Sequence, residues 1–128
     1  MSTSAPPYLD CFIFPILRIH LDKYRNVAEQ VAAVWKEYGA LSYQEYLGDE
    51  LHLEGTRSYV EAVELKTDEV VVVGWVVFPS KGVREEANKR VPEDPRMARI
   101  VGPLVDPERM IFDASRMIYG GFTPLVQR

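Results

Sequence analysis

The stretch VVVVGWVVFP, residues 70–79, has an apolar side chain at almost every position. Successive side chains of a strand point to opposite faces of a sheet, so this stretch supplies two apolar sets. The sets are Val71, Val73, Trp75 and Val77 on one face, and Val70, Val72, Val76 and Phe78 on the other. Because neither set is suited to water, the stretch predicts a central strand whose sheet is covered on both faces.

The segments around this strand predict the element order β-α-β-β-β-α-β. Alternating or aromatic-rich runs predict the other strands, at residues 8–14, 41–48, 57–66 and 115–126. Apolar residues spaced three and four apart predict a long helix that begins near Leu21 and ends at Gly39. A second helix over residues 81–91 follows the capping residue Ser80, and a short helical piece follows Asp94.

The apolar second face of the sheet predicts an association between two copies of the chain. Two helices on an open antiparallel sheet cover one face and leave the other to solvent. Residues 70–79 and the first strand are apolar on both faces, so something besides the helices must cover the second face. The shortest explanation is a second copy of the sheet, packed across a two-fold axis. The sequence therefore predicts a homodimer.

Gly120 and Gly121 interrupt the last strand, where each lacks a side chain that packs. A bulge would explain them, as would a close approach of the backbone to the partner sheet or to a large side chain such as Trp75. The functional alternative is that the glycines leave space for a ligand. We expect the packing explanation and keep the ligand explanation open.

The composition predicts one globular domain over residues 8–128, preceded by a disordered tail of residues 1–7. Of the 128 residues, 47% are hydrophobic and 27% are charged, which is the balance of a folded protein. The formal net charge is -4 and no basic run occurs, so nucleic acid is not an expected partner. No apolar run is long enough to span a bilayer and no signal-peptide pattern opens the chain, so we expect a cytoplasmic protein without membrane contact.

Metal ions and organic cofactors are not expected. His20 and His52 are the only histidines, and neither has a second ligand residue at a metal-binding spacing. The glycine-rich patterns that bind dinucleotides and nucleoside triphosphates are absent. Cys11 is the only cysteine, and its apolar neighbours predict a small buried side chain instead of a reactive thiol.

Polar residues within apolar strands are the candidates for chemistry. Asp10 shares one face of its strand with aromatic residues, and Glu61 lies in phase with apolar neighbours. A carboxylate on an apolar face must be paired, hydrogen-bonded or raised in pKa, which suits either an ion pair or a general base. The structural alternative is an ion pair between Asp10 and Arg116. In the catalytic alternative, the catalytic candidates are Asp10, Glu61, Arg116 and Tyr119.

Three motifs stand out in the second half of the chain: GW-x3-PSK-x2-R-x2-AN from Gly74 to Asn88, DPRM from Asp94 to Met97, and FD-x2-RMIYGGF from Phe112 to Phe122. Together they resemble the small bacterial proteins of the domain-of-unknown-function family numbered 1428 (DUF1428). The segment WKEYGAL and the Tyr-x-Asp of the first strand are similar as well. The resemblance covers nearly the whole chain after the tail, with one departure: the connection from Ile100 to Asp113 is longer than the usual spacing.

This resemblance implies an α+β fold, namely a ferredoxin-like antiparallel sheet with two main helices on one face, which dimerises into an α/β barrel. The wider group with this architecture holds antibiotic-biosynthesis monooxygenases and haem-degrading enzymes, in which an aromatic wall helps to hold a flat organic substrate. The family itself carries no established activity. The resemblance therefore predicts the fold and leaves the function open.

The ligand-binding candidates follow from the same resemblance. Trp75, Phe12 and Tyr119 either line a cavity between the sheet and the helices or are simply core. Arg84 and Asn88 are four residues apart on one face of the second helix, where they reach a shared anion or the partner chain, or form part of a solvated face. The full set of ligand-binding candidates is Tyr8, Phe12, Trp75, Ser80, Arg84 and Asn88.

Two functions remain open at this point. The first is a homodimer that binds, and in one version transforms, a small apolar or aromatic metabolite without a metal or organic cofactor. By analogy such an enzyme is a cofactor-independent oxygenase or isomerase, with Asp10 or Glu61 as the base and Tyr119 or Arg116 stabilising the anion. The second is a non-catalytic dimeric structural or interaction module whose own side chains fill the cavity.

Overall fold

The computed structural model describes residues 5–128, in which four strands form one antiparallel sheet with helices packed on one face. The strands are β1 (Tyr8–Leu17), β2 (Ser42–Leu47), β3 (Glu69–Phe78) and β4 (Ile118–Phe122), and the helices are α1 (Leu21–Glu37), α2 (Tyr59–Ala62), α3 (Lys81–Arg90) and α4 (Pro95–Val101). The strand order is β2-β3-β1-β4, so the two long strands lie in the middle. This is the predicted α+β, ferredoxin-like arrangement. Residues 1–4 of the predicted tail lie outside the described residues.

The inner face of the sheet, which the helices cover, carries the main apolar core. Phe12 lies opposite Gly74 and Phe14 opposite Val72 in the pairing of β1 with β3, so alternate residues of both strands share this face. The buried members of this core are Phe12, Phe14, Ile16, Ala40, Val70, Val72, Val76, Phe78 and Ala87. Burial of a side chain of the size of valine or phenylalanine contributes about 1.5–3 kcal/mol, so this face holds the sheet to the helices.

A second apolar cluster joins α1 to α4 and to the end of α3. Its buried members are Val27, Val34, Val91, Ile100 and Leu104. α1 ends where Gly39 adopts a φ of 114°, a left-handed conformation that favours glycine, and this end was predicted. Within residues 5–128, no helix is both long enough and apolar enough to cross a lipid bilayer.

The predicted starts of α3 and α4 are confirmed by their capping hydrogen bonds. The Ser80 Oγ accepts a hydrogen bond of 3.1 Å from the backbone N–H of Val83. The Asp94 Oδ1 accepts one of 2.9 Å from the backbone N–H of Arg96, and Pro95 occupies the first turn of α4. These caps fix where the two helices begin, and therefore which of their side chains face the sheet.

The prediction of a fifth strand over residues 57–66 is wrong. This segment contains α2, a single helical turn that Ser58 caps by accepting a hydrogen bond of 3.0 Å from the backbone N–H of Val60. Glu64 then adopts a φ of 52°, which is incompatible with an extended strand. The alternating pattern of this segment is therefore not a strand signal, and the sheet has four strands.

The glycines of β4 do not form a bulge, because β1 and β4 pair in a continuous register. A Cβ atom on Gly121 would collide with the ring of Tyr8 on the inner face. A Cβ atom on Gly120 would lie 3.2 Å from the ring of Phe122. The predicted close approach of the backbone to a large side chain is thus confirmed, but that side chain is Tyr8 and not Trp75.

The outer face is the side of the sheet opposite α1 and α3, and Val71 at one end of this face is buried within the single chain. Its central residues are Leu9, Cys11, Ile13, Ser42, Gln44, Tyr46, Val73, Trp75, Val77, Ile118 and Phe122, none of which is charged. Trp75 stacks on Tyr46, with 5.2 Å between the ring centroids. Tyr46 is 55% exposed and Phe122 is 53% exposed, so this apolar face is open to solvent in the single chain. Cys11, which we expected to be buried, is half-buried here.

Candidate functional site

A cavity of about 410 Å³ lies between the inner face of the sheet and helices α1 and α3. Its lining is drawn from every strand and from both helices. The lining residues are Asp10, Phe12, Trp35, Tyr43, Val76, Asn88, Met117 and Tyr119. Pockets of about 300–1,000 Å³ with apolar walls and a few polar groups are typical of small-molecule sites, so this cavity is the candidate site.

Asp10 is the centre of the polar part of the cavity, and its side chain is 7% exposed. The Nε atom of Arg84 donates hydrogen bonds of 3.1 and 3.2 Å to the two carboxylate oxygens. The Tyr119 hydroxyl donates a hydrogen bond of 2.6 Å to Oδ1 and accepts one from the Arg84 guanidinium. We call these three residues the polar cluster. Its hydrogen bonds are charge-assisted, and bonds of this type are about twice as strong as neutral ones.

Strand register and helix capping bring the polar cluster together. Asp10 and Tyr119 are diagonal neighbours across the pairing of β1 with β4, so both side chains point to the inner face. Arg84 lies at the start of α3, whose position is fixed by the Ser80 cap. The ring of Tyr8 lies 5.1 Å from the Arg84 guanidinium and holds it over the sheet by a cation–π contact.

The electrostatics of the polar cluster favour a neutral ligand. Burial raises the pKa of Tyr119, and its hydrogen bond to Asp10 raises the pKa further, so the hydroxyl is protonated at neutral pH. The pKa of Arg84 is also raised, because its guanidinium donates hydrogen bonds to Asp10. The cluster therefore carries one negative and one positive charge. Such a balanced group is suited to hydrogen-bonding an oxygen of an uncharged molecule.

Four lining residues were not among the predicted site residues: Trp35, Tyr43, Val76 and Met117. Trp35 lies on the apolar stripe of α1, which predicts a core position, and its ring contacts that of Phe78 with 6.1 Å between centroids. The available signal was the WKEYGAL segment, which contains Trp35 and contributes to the family resemblance. Tyr43 lies in the strand predicted over residues 41–48, in which no motif indicated a contribution to a cavity.

Trp75 and Glu61, two of the predicted site residues, lie away from the cavity. Trp75 lies on the outer face, so the prediction that it lines the space between sheet and helices is wrong. Glu61 lies in α2, where it is exposed and has Arg57 as a neighbour at 3.8 Å. Neither side chain contacts the polar cluster.

The predicted ion pair between Asp10 and Arg116 is also wrong. Arg116 ends a short helical turn before β4 instead of opening the strand. Its guanidinium pairs with the buried carboxylate of Glu69, to which Nη2 donates a hydrogen bond of 3.0 Å. It also donates to the backbone carbonyl of Glu64. Arg116 therefore joins β4 to the start of β3, while Arg84 takes the place beside Asp10.

The remaining candidates lie in or next to the cavity. Phe12 and Asn88 line it, and Tyr8 packs behind it against Arg84. The Ser80 hydroxyl is used by the helix cap. No group of three or more His, Cys, Asp or Glu side chains that could hold a metal ion occurs within residues 5–128.

Solved structures share this fold at low sequence identity. A nipsnap family protein of unknown function from Agrobacterium tumefaciens is 14% identical, with a TM-score of 0.55 over 95% of this chain and 94% of that chain. A variant of SnoaB, a cofactor-independent oxygenase from Streptomyces nogalater, is 14% identical, with a TM-score of 0.52 over 96% of this chain and 97% of that chain. At these identities the likeness shows the fold alone.

A relative at higher identity is the uncharacterised protein YbaA of Escherichia coli strain K12. It is 35% identical over 119 residues, which cover 93% of this chain and 97% of YbaA. YbaA of Shigella flexneri matches to the same extent. A family model matches residues 7–114, so the chain belongs to the family described as "Protein of unknown function (DUF1428)".

Proposed function

We propose that this protein is a homodimer that binds a small, uncharged, mostly apolar or aromatic molecule in the cavity beside the polar cluster. The observation that carries the proposal is the juxtaposition of hydrogen-bonded Asp10, Arg84 and Tyr119 with an aromatic-lined space of about 410 Å³. Small-molecule sites combine apolar walls with a few fixed polar groups in this manner.

The lining suggests the chemistry of the ligand. The rings of Phe12, Trp35 and Tyr43 provide apolar walls that suit a flat ring system. The Asn88 amide is a polar group of the lining that suits a carbonyl or hydroxyl oxygen, whereas the Tyr119 hydroxyl already donates its proton to Asp10. The proposed ligand is therefore an aromatic or alicyclic molecule that carries one such oxygen.

A catalytic role is the second candidate, and the buried carboxylate of Asp10 in the cavity lining favours it. Asp10 would accept a proton from a carbon next to the ligand's carbonyl group, and Arg84 and Tyr119 would stabilise the resulting oxyanion. Return of the proton to another carbon would complete an isomerisation. Reaction of the anion with dioxygen would instead give an oxygenase, the activity of the fold neighbour SnoaB.

The homodimer is proposed from the outer face of the sheet. This face is apolar, is uncharged at its centre and is left open in the single chain, with Ile118 47% exposed and Phe122 53% exposed. Because it has no like charges to repel a second copy, it is suited to pack against itself across a two-fold axis. Contiguous exposed apolar surfaces of this kind are typical of protein–protein contacts.

The two tryptophans provide the experiment, because Trp35 lines the cavity and Trp75 lies on the outer face. The Trp75→Phe variant keeps only the cavity reporter, and titration with acetophenone should quench its fluorescence with a saturable curve. The Trp35→Phe variant keeps only the outer-face reporter and should show no saturable quenching. Asn88→Leu should weaken acetophenone binding roughly three- to tenfold, because the hydrogen bond from the Asn88 amide to the carbonyl is lost.

Asn26→Leu is the matched control, since Asn26 is exposed on α1 and lines neither pocket, and it should leave the titration unchanged. Native mass spectrometry of the freshly purified protein provides an independent measurement of a co-purifying ligand. A mass equal to that of the bare dimer, together with no saturable quenching of Trp35, would contradict the binding proposal. That result would favour the non-catalytic module with a self-filled cavity.

A further inference from the structure

The groove between α1 and β2 lies on the other side of Tyr43 from the cavity and has its own carboxylate, Glu45. We infer that this groove binds a small organic cation, an amine with an apolar or aromatic body, whose ammonium group pairs with Glu45. The groove has a volume of about 310 Å³. Its apolar walls are Leu21, Ala28, Ala32, Leu47 and Val72.

Glu45 lies on the floor of the groove without a cationic partner. Glu45 pairs with Gly74 of β3, and its side chain lies on the inner face of the sheet. It packs closely over Gly74, because a Cβ atom added to Gly74 would lie 2.9 Å from the Glu45 side chain. The Tyr24 hydroxyl donates a hydrogen bond to one carboxylate oxygen, and the Tyr43 hydroxyl donates one of 2.9 Å to the other. None of the ion pairs formed by residues 5–128 includes Glu45.

Two neutral donors only partly compensate a carboxylate in this position. Burial raises the pKa of Glu45, although the hydrogen bonds from Tyr24 and Tyr43 oppose this rise. Each carboxylate oxygen retains a second lone pair that can accept a further hydrogen bond. An ammonium group in the groove would supply both the missing hydrogen bonds and the missing positive charge.

The aromatic rings around Glu45 favour a cation for a second reason. Burial raises the pKa of Tyr24 and of Tyr43, so both phenols are protonated and hold the carboxylate in a fixed orientation. The faces of tyrosine rings also attract organic ammonium groups. Glu45 and the two tyrosines therefore offer an ammonium group a charge partner and aromatic surface together.

The shape and the rim of the groove fit the same ligand. Ala28 and Ala32 are one helical turn apart on α1, and their small side chains leave the space that an apolar body needs. At the rim, Arg25 adds one positive charge and Glu29 adds a second negative charge to the lining, and Arg25 also pairs with the exposed Asp22 at 3.0 Å. With Glu45 and Glu29 against Arg25, the lining has a net negative charge, which favours a cation.

Calorimetric titration with benzylamine and with benzyl alcohol tests this inference at neutral pH. The two probes have the same aromatic body, and only the amine carries a positive charge. We expect the unmodified protein to bind benzylamine at least about tenfold more tightly than benzyl alcohol. Glu45→Gln retains an oxygen acceptor for the tyrosines and should abolish the preference.

A pair of substitutions on α1 keeps the test independent of Glu45. Ala28→Leu fills the groove without touching the carboxylate and should weaken benzylamine binding about tenfold or more. Ala33→Leu adds the same side chain at an exposed position outside the groove and should leave the affinity unchanged. Quenching of Trp35 by acetophenone should persist in all of these variants, because that measurement reports the separate cavity.

Equal affinity for the two probes, or equal effects of Ala28→Leu and Ala33→Leu, would overturn the inference. Benzylamine binding that Glu45→Gln leaves unchanged would overturn it as well. Failure of acetophenone to bind would contradict only the proposed function of the cavity. The two proposals therefore fail by different measurements.

Discussion

Tyr119 donates a hydrogen bond of 2.6 Å to the carboxylate of Asp10, across the pairing of β4 with β1. Arg84 of α3 binds the same carboxylate, so three distant segments of the chain meet at one buried anion. The polar cluster thereby joins an edge strand and a helix to the centre of the sheet. It has a structural role whether or not a ligand binds beside it.

Replacement of Asp10 by asparagine should strongly destabilise the fold. The Arg84 side chain is 15% exposed, so the variant leaves a largely buried guanidinium with only the exposed Glu85 as an anionic partner. Loss of one partner of a buried ion pair costs about 3–5 kcal/mol, and we expect the free energy of unfolding in urea to fall by about this amount. Asp22→Asn, which breaks an exposed pair with Arg25, is the control and should leave it unchanged. A loss below about 1 kcal/mol for Asp10→Asn would contradict this role.

The two glycines of β4 should respond differently to an added methyl group. Gly121→Ala places a Cβ atom against the ring of Tyr8, which itself packs on Arg84, so several groups must move. Overpacking of this kind typically costs about 1–3 kcal/mol. In Gly120→Ala the added methyl group contacts only the half-exposed ring of Phe122, at 3.2 Å. The loss in free energy of unfolding should therefore be smaller than for Gly121→Ala. Thermal denaturation of both variants measures the difference, and equal melting temperatures would contradict the packing explanation.

The acid stability of the protein should depend on Asp94. Hydrogen bonds from Arg96, and a further one of 2.7 Å from the Tyr38 hydroxyl, lower the pKa of Asp94 below its ordinary value of 3.8. A lowered pKa in the folded state contributes stability above that ordinary value, and this contribution is lost as the pH falls below it. Asp94→Asn keeps a capping side chain but removes the charge, so its free energy of unfolding should fall less steeply in acid.

Urea denaturation at a series of pH values measures this dependence. Tyr38→Phe removes one of the donors to Asp94 and should give a slope between those of the unmodified protein and Asp94→Asn. Parallel curves for all three proteins would show that Asp94 makes no contribution to the pH dependence.

The oligomeric state should depend on the charge of the outer face. We expect the unmodified protein to sediment as a dimer and Ile118→Lys to sediment as a monomer, because an unpaired ammonium group within an apolar contact is costly. Ile19→Lys places the same charge at a position that is 84% exposed beside α1, and it should remain dimeric. A monomeric unmodified protein at micromolar concentration, or equal behaviour of the two variants, would contradict the proposed dimer.

Local signals predicted much of the fold. Gly39 ends α1, Ser80 starts α3 and Asp94 starts α4, and each signal acts within four residues of its own position. The strand prediction for residues 57–66 was wrong because the alternating pattern competes with an equally local signal, the helix cap at Ser58. Ser58 accepts a hydrogen bond from the backbone two residues later and turns the chain into α2.

The candidate site depended on information that is not local. Asp10 could pair with any arginine that the fold brings near, and the sequence offered no means to choose Arg84, 74 residues away, over Arg116. The positions of the two arginines in the fold decide which one pairs with Asp10. Arg84 lies near the capped start of α3, whereas Arg116 lies in a turn before β4. Likewise, the sequence assigns both Trp35 and Trp75 to apolar faces, and only the packing of α1 on the inner face separates the cavity from the outer face.

Tyr43 belongs to the lining of the cavity and to that of the groove, so its side chain forms part of the wall of both. Any guest that displaces this ring in one compartment changes the room left in the other. Thermodynamic linkage requires such an influence to be equal in both directions, so each guest would alter the affinity of the other by the same factor. Through this shared wall, the two proposed ligands would influence each other's binding without direct contact.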